Sequence, residues 1–173
     1  GVCFVGEIDV AEFLKERLGI KPGPIKTIDD KIIGTHDGAI FYTIGQRKGI
    51  GIKGSLPGEQ GKVYYVAAKD IDSNTLWVAE GESQKLFSKE LIAKDINWIS
   101  GKQPDLPLTC LIRIRYRQPL QDGTVNSSTH QLKVLFNTPQ RAITPGQSTV
   151  FYLPAEARRA KAGEEMLGGG VID

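Results

Sequence analysis

Apolar residues in this chain come in short clusters, separated by glycines and prolines. That spacing predicts a mainly β architecture. One segment departs from it. Val10, Phe13, Leu14 and Leu18 recur at helical spacing and predict a helix over 10–18, with these four as its buried stripe. Asp9 is the candidate N-cap, with Glu12 at the third helical position, an aspartate version of the capping box. Ile8 and Phe13 would form a hydrophobic staple across that cap. Gly19 can end the helix in the left-handed conformation, and Pro22 prevents it from resuming nearby.

Short strands are expected next. Ile25–Ile28 and Lys31–Gly34 flank Asp29-Asp30, a tight hairpin turn. Ala39–Ile44 is apolar on too many sides for its period to separate strand from helix. Lys62–Lys69 and Thr75–Glu80 flank Asp70–Asn74, whose residues suit a second hairpin. After the break at Pro104–Pro107, strands are expected at Thr109–Gln118, Gln131–Phe136, Ser148–Leu153 and Gly168–Ile172. Val134, Phe136, Val150 and Tyr152 carry the period-two pattern. Ala155–Met166 reads as a helical turn or as a long hairpin loop. We place a domain boundary near Ser88. Residues 1–88 then form a small α+β domain with one N-terminal helix, and residues 89–173 an all-β barrel or sandwich.

Composition narrows the function. The 173 residues suffice for one good core or two small domains. The longest apolar runs are a few residues, so no transmembrane helix is expected, and no secretory leader pattern opens the sequence. The net charge of +2, from 22 basic and 20 acidic residues, excludes a wholly basic nucleic-acid binder but allows a local basic patch. Cys3, Cys110, His36 and His130 have neither a disulfide framework nor zinc spacing, so no metal site is expected. A reducing, cytoplasmic setting is the default for such cysteine usage.

Some segments could carry chemistry. Gly49-Ile-Gly51-Ile-Lys-Gly54 matches G-x-G-x-x-G, but Ser55-Leu-Pro-Gly58 follows where a dinucleotide site needs a helix start. Arg47 and Lys48, between Gly45 and Gly49, make either a phosphate-binding loop or a solvated turn. Leu111–Gln118 reads L-I-R-I-R-Y-R-Q. In a strand it would set Arg113, Arg115 and Arg117 in a row about 7 Å apart, opposite Ile112, Ile114 and Tyr116. That row is either an RNA-binding face or a solvated outer face paired to acids. Cys3 is either core filling or an accessible thiol, and Cys110 reads as packing. His36 reads as a turn residue and His130 as part of a polar loop. Gly168-Gly-Gly170 suggests a bulge or a close strand contact.

Six motifs occur in order: Gly1-Val-Cys-Phe-Val-Gly-Glu7, Tyr42-Thr-Ile-Gly-Gln-Arg-Lys-Gly-Ile-Gly51, Arg115-Tyr-Arg-Gln118, Pro139-Gln-Arg-Ala142, Thr144-Pro-Gly-Gln147 and Leu167-Gly-Gly-Gly-Val-Ile172. Together they resemble the C-terminal half of bacterial tRNA-specific 2-thiouridylases, across essentially the whole chain. The resemblance implies a central domain followed by a β-barrel like those of translation factors. It also implies an N-terminal ATP-pyrophosphatase domain, whose Ser-Gly-Gly-x-Asp-Ser phosphate loop does not occur here. The chain therefore looks like a fragment that binds no ATP itself, of a parent enzyme that does.

In such an enzyme the C2 oxygen of the wobble uridine, tRNA position 34, is adenylated and then replaced by a persulfide sulfur. The resemblance assigns the persulfide to Cys3, in the Gly-x-Cys-Phe-x-Gly motif, and tRNA contacts to Arg115, Tyr116 and Gln147. Arg47, Lys48, Arg113 and Arg117 are further candidates for tRNA binding. The implied partners are tRNA, a sulfur-donor protein of a persulfide relay and the N-terminal domain, with no membrane. The competing reading is a stand-alone RNA-binding β-barrel in which Cys3 is structural. In a strand, Arg115 and Tyr116 would face opposite ways, so both can touch RNA only if the strand twists or ends there.

Overall fold

The structure, a computed structural model, describes residues 10–52, 62–81, 83–154 and 165–173. Asp9, Ile8, Cys3, Gly54 and the segment 155–164 therefore lie outside the described residues, with the readings attached to them. The chain divides into two units, Gly1–Leu86 and Phe87–Asp173.

In the first unit, helix α1 spans Val10–Leu18. It ends where Gly19 takes a φ of 72° and its N–H donates to the Lys15 carbonyl at 2.9 Å. Of the expected apolar stripe, Phe13 is 47% and Leu18 49% exposed, while Leu14 is half-buried. The contact that pins the helix is polar instead, the Lys15 ammonium donating to Asp37 at 2.5 Å. Strands β1 (Gly23–Thr27) and β2 (Ile32–His36) form the first hairpin, with Asp30 in its turn at φ 60°. Strands β3 (Tyr64–Asp70) and β4 (Thr75–Glu80) form the second. There the Asp70 carboxylate accepts the Asp72 N–H and the Ser73 hydroxyl, a side-chain closure typical of Asx turns. Strand β1 also runs parallel to β4, giving the mixed order β2-β1-β4-β3.

Asn74 locks this sheet to the segments around it. Its side-chain amide donates to the carbonyls of Lys21 and Pro22 and accepts the N–H of Ala39. The undecided Ala39–Ile44 segment opens with a 3₁₀ turn over Ala39–Phe41. It lays Ala39 and Tyr42 onto a core of Ile25, Val66, Leu76 and Val78.

The second unit is a closed antiparallel barrel of six strands: β5 (Phe87–Trp98), β6 (Leu108–Arg113), β7 (Gln121–Ser128), β8 (Gln131–Arg141), β9 (Ser148–Tyr152) and β10 (Met166–Ile172). Around the barrel they run β10-β5-β8-β7-β6-β9. With the sheet and one helix of the first unit, the protein is mainly β. Ser88, where the boundary was placed, is the second residue of β5 and pairs with Gln140.

Leu91, Ile112, Val125, Val134, Phe136, Phe151 and Ile172 fill the barrel interior. Along β9 the buried residues are Thr149 and Phe151, so Val150 and Tyr152 lie on the opposite phase from the one expected. Strands β5 and β7 were not anticipated. In β5 a register shift after Ser88 and a left-handed Asp95, φ 50°, break the alternation. In β7 the inward positions are Gly123 and Val125, so a single large apolar residue marks the core face. Strand β6 stops at Arg113, well short of Gln118.

Strand β10 closes the barrel, and its glycines are sized for that. A Cβ on Gly169 would stand 2.5 Å from the Thr149 carbonyl oxygen, and one on Gly168 2.4 Å from that of Asn97. No side chain fits between β10 and its neighbours at these positions.

His36 generates a testable pH dependence. It ends β2 rather than sitting in a turn, and it is buried. Its Nδ1 accepts the Gly38 N–H at 2.9 Å, which requires the neutral ring. Burial pushes its pKa below 6.5. The unfolded chain therefore takes up a proton before the folded one does. Stability should be full above pH 6.5 and fall as pH drops from there toward the lower folded value. The shifted carboxylates Asp30, Asp70 and Asp173 all sit below 3.8, so they do not titrate in that window. Denaturant titrations between pH 7.5 and 5 should show the decline, and His36→Gln should flatten it. A wild-type profile flat over this range would show that His36 is not held neutral.

Candidate nucleic-acid interface

The end of β6 builds the site. After Arg113 the chain turns through Ile114–Gln118, and Gln118 folds the turn around itself. Its carbonyl accepts Arg113 Nε–H at 2.8 Å, its N–H donates to the Arg115 carbonyl at 3.1 Å, and its side-chain oxygen accepts the Ile114 N–H at 3.3 Å. Arg117 adopts a φ of 66°, in the left-handed region and outside regular strand geometry. The arginine row expected along one strand face therefore does not exist. Alternation ends at Arg113, and Arg115, Tyr116 and Arg117 belong to a turn.

The turn displays Tyr116 at its tip, 88% exposed. The Arg117 guanidinium lies over its ring at 5.5 Å. A bare aromatic flanked by guanidiniums offers a stacking face and cationic donors together. Arg113 has a different place, half-buried over the Tyr152 ring at 5.2 Å on the barrel wall.

Arg115 ties this turn to a second segment. Its Nη2 donates to the Ala142 carbonyl at 2.9 Å and to the Thr144 hydroxyl at 3.4 Å. Thr144 in turn donates its hydroxyl to the same Ala142 carbonyl at 2.9 Å. Ala142 is buried with a φ of 54°, a backbone conformation unfavourable for alanine that these bonds help to hold. A chain of three glutamines supplies a further link. Gln118 Nε2 donates to Gln140 Oε1 at 2.9 Å, and Gln140 Nε2 donates to Gln121 Oε1 at 3.1 Å. Gln140 is buried, so its amide has little access to water as an alternative partner.

Gln147 follows in the same segment, exposed, in a turn where its N–H donates to the Thr144 carbonyl and Gly146 takes φ 81°. The structure thus places Arg115-Tyr-Arg-Gln118, Pro139-Gln-Arg-Ala142 and Thr144-Pro-Gly-Gln147 in one hydrogen-bonded group on the barrel. Gln118, Gln140, Ala142 and Thr144 are its internal braces. Reasoning from the sequence missed them as such, although all four lie within the quoted motifs.

Other candidates fall elsewhere. Arg47 and Lys48 are exposed on a loop of the first unit. Cys110 is buried in β6, and burial pushes its thiol pKa up to about 12, so it packs and carries no thiolate at neutral pH. His130 is exposed in the β7–β8 turn at φ 59°. A cleft of about 590 Å³ at the ends of β1 and β4 mixes Lys31, Lys62 and Lys85 with Asp29 and Glu80, so it concentrates neither sign of charge. Among the described residues no cluster of His, Cys, Asp or Glu could hold a metal ion, and no helix is long and apolar enough to cross a membrane.

The glutamine chain can be tested directly. Gln140→Leu removes a buried amide and leaves those of Gln118 and Gln121 without it. We expect a loss of about 1–3 kcal/mol in barrel stability. In a double-mutant cycle, Gln118→Leu should couple to it. Strict additivity of the two substitutions in denaturant unfolding would show that the chain carries no joint energy.

Comparison with known proteins places this geometry. Residues 11–80 match the family model described as tRNA methyl transferase PRC-barrel domain, and residues 88–172 match the aminomethyltransferase beta-barrel domain. The chain is 45% identical over 175 residues to the tRNA-specific 2-thiouridylase MnmA 2 of Geobacillus kaustophilus, covering 100% of this chain and 43% of that protein. It is 43% identical to tRNA-specific 2-thiouridylase MnmA of Tolumonas auensis, covering 100% of this chain and 45% of that protein. For the same enzyme of Haemophilus influenzae strain Rd the identity is 42%, over 99% and 43%. The chain spans less than half the length of these curated relatives. With both of its units matched in order and its whole length aligned, it belongs to the tRNA-specific 2-thiouridylase family.

Proposed function

We propose that this chain supplies the tRNA-binding surface and the persulfide cysteine of a tRNA-uridine 2-sulfurtransferase. The observation that carries the tRNA part is the convergence of Arg115, Tyr116 and Gln147 on one braced surface of the barrel. Arg115 and Tyr116 sit in a turn, so strand alternation no longer sets them on opposite faces. Guanidinium suits phosphate and sugar oxygens, and the bare tyrosine ring suits an unstacked base. Arg115 is held by Ala142 and Thr144 before any RNA arrives, which lowers the ordering cost of binding.

The sulfur part rests on Cys3 and on the family. The Cys3 thiolate accepts the outer sulfur of a donor protein's persulfide. That sulfur then attacks C2 of the uridine as the adenylated oxygen leaves with AMP. A second thiol, the partner cysteine that the family carries in its N-terminal domain, cleaves the S–S bond to free the thiouridine and forms a disulfide with Cys3. ATP supplies activation of the C2 oxygen in the reaction proposed. The glycines described here do not fit an ATP cradle. A Cβ on Gly51 would meet the Thr35 carbonyl at 2.7 Å, and Gly168, Gly169 and Gly170 pair inside β10. No step of the reaction is therefore assigned to nucleotide bound by these residues, and a cytoplasmic setting follows from the substrate class.

Two substitutions in the full-length protein test the proposal. Arg115→Ala should weaken tRNA binding by about 1–3 kcal/mol, with the largest effect at low salt. Because Arg115 also braces the turn, Tyr116→Ala is the companion variant: its ring is exposed, so the barrel should melt unchanged while tRNA affinity falls. Filter-binding affinities unaffected by both changes would remove the interface. Cys3→Ser should abolish formation of 2-thiouridine and leave tRNA binding intact, since a hydroxyl cannot hold a transferable sulfur. Thiolation by the serine variant at the wild-type rate would defeat the sulfur assignment.

A further inference from the structure

The barrel surface does not account for a loop of the first unit that exposes two adjacent cations. Residues 43–50 run from the buried Tyr42 to the buried Ile50 and send Arg47 and Lys48 into solvent between them. The loop is tied down at every turn. Gly45 N–H donates to the Val66 carbonyl at 2.7 Å, and Val66 N–H donates to the Gln46 carbonyl at 3.0 Å, so β3 holds it as it would another strand. Lys69 reaches back from the same strand and donates to the Tyr42 carbonyl at 2.8 Å.

Gln46 braces the loop from within. Its side-chain oxygen accepts the Thr43 N–H at 3.1 Å, and its amide donates to the Lys48 carbonyl at 2.9 Å. Gly45 and Gly49 take φ of 85° and 73°, values that let the chain reverse tightly on both sides of the two cations. A Cβ on Gly49 would meet nothing nearer than Gln46 Nε2 at 3.9 Å, so the glycine is required by the turn and leaves open space beside the cations. Among the described residues neither Arg47 nor Lys48 has an ion-pair partner, whereas Lys15, Lys26, Lys62, Lys94 and Lys133 each pair with an acid.

We infer that this loop is a second RNA-backbone site, in which Arg47 and Lys48 take adjacent phosphates and Gln46 is the residue that positions them. It rests on the reading that the full-length protein binds tRNA. A solvated surface turn has no need of an internal glutamine brace and two ties to a neighbouring strand. A preformed pair of cations with an open approach does, because fixing the loop beforehand removes the ordering cost from the binding step. Phosphate is favoured over an acidic protein partner by the surface itself. Within the loop the two cations are flanked by Gln46 and Gly49 rather than by large apolar side chains of the kind a protein interface places beside its charges.

The experiment measures tRNA binding by the full-length protein as a function of salt. Arg47→Gln with Lys48→Gln should weaken binding about tenfold at low salt and reduce the slope of log affinity against log salt by about 1.4–1.8, the value for two phosphate contacts. Lys48→Gln alone should remove about half of that slope. Gln46→Leu keeps both charges and should still weaken binding about threefold through loss of preorganisation. Affinity and slope unchanged in the double variant would overturn the inference. So would unchanged tRNA affinity with impaired sulfur delivery from a protein donor, which would make the loop a docking point for an acidic protein. If the wild-type protein bound no tRNA, the underlying reading would fail. If Tyr116→Ala weakened binding and the double variant did not, only the loop would.

Discussion

Barrel closure by β10 is the constraint on which the second unit depends. That strand hydrogen-bonds to β5 on one side and β9 on the other, and the barrel has no free edge once it is in place. Closure demands that three successive residues carry no side chain, since each would meet a carbonyl oxygen or Ile96 at 2.6 Å or less. The same strand reaches the proposed interface. Ile172 accepts the Gly146 N–H at its carbonyl and donates its own N–H to the Gln147 carbonyl, each at 2.8 Å. The turn that carries Gln147 is thus fixed by the strand that closes the core. A lesion in the glycine triplet would damage the fold and the interface together.

The interface itself gives up regular structure in order to present polar groups. Strand β6 could have continued, since Ile114 still points into the core and Tyr116 continues the alternation. It ends instead because Gln118 offers its side chain and main chain to Arg113, Ile114 and Arg115 in place of a ladder. Left-handed Arg117 and Ala142 mark the two sides of the resulting contact. Unfavourable backbone at two non-glycine residues, held by one guanidinium and a glutamine chain, is how local strain is usually kept at sites that act.

Much of the fold was legible from residues alone, and the reasons differ by element. The two hairpins of the first unit were readable because Asp30 tolerates the left-handed φ of its turn and the Asp70 carboxylate closes the other turn chemically. Strands β5 and β7 were not, because a bulge hides the period in one and a glycine stands at a core position of the other. The helix was placed correctly at 10–18, but Phe13 and Leu18 of its stripe were assigned to a core and are exposed instead. For the interface, the motif segments were visible and their convergence was not. Nothing in a linear sequence states that Arg115 reaches the carbonyl of Ala142, a bond between residues 27 positions apart in the chain.

The proposed role asks a chain of net charge +2 to serve a polyanion, which local rather than overall charge would have to do. Several lysines are neutralised locally, by Asp37, Asp30, Glu80, Asp173 and Glu90. Such exposed pairs add little stability, but they remove those cations from the far field. Among the other exposed cations of the described residues, Arg115 and Arg117 share a turn on the barrel and Arg47 and Lys48 a loop of the first unit. Binding built this way depends on a few preformed contacts rather than on a broad basic surface. If the proposed contacts hold, non-specific attraction to other nucleic acids should stay weak, because that term grows with the number of phosphates neutralised.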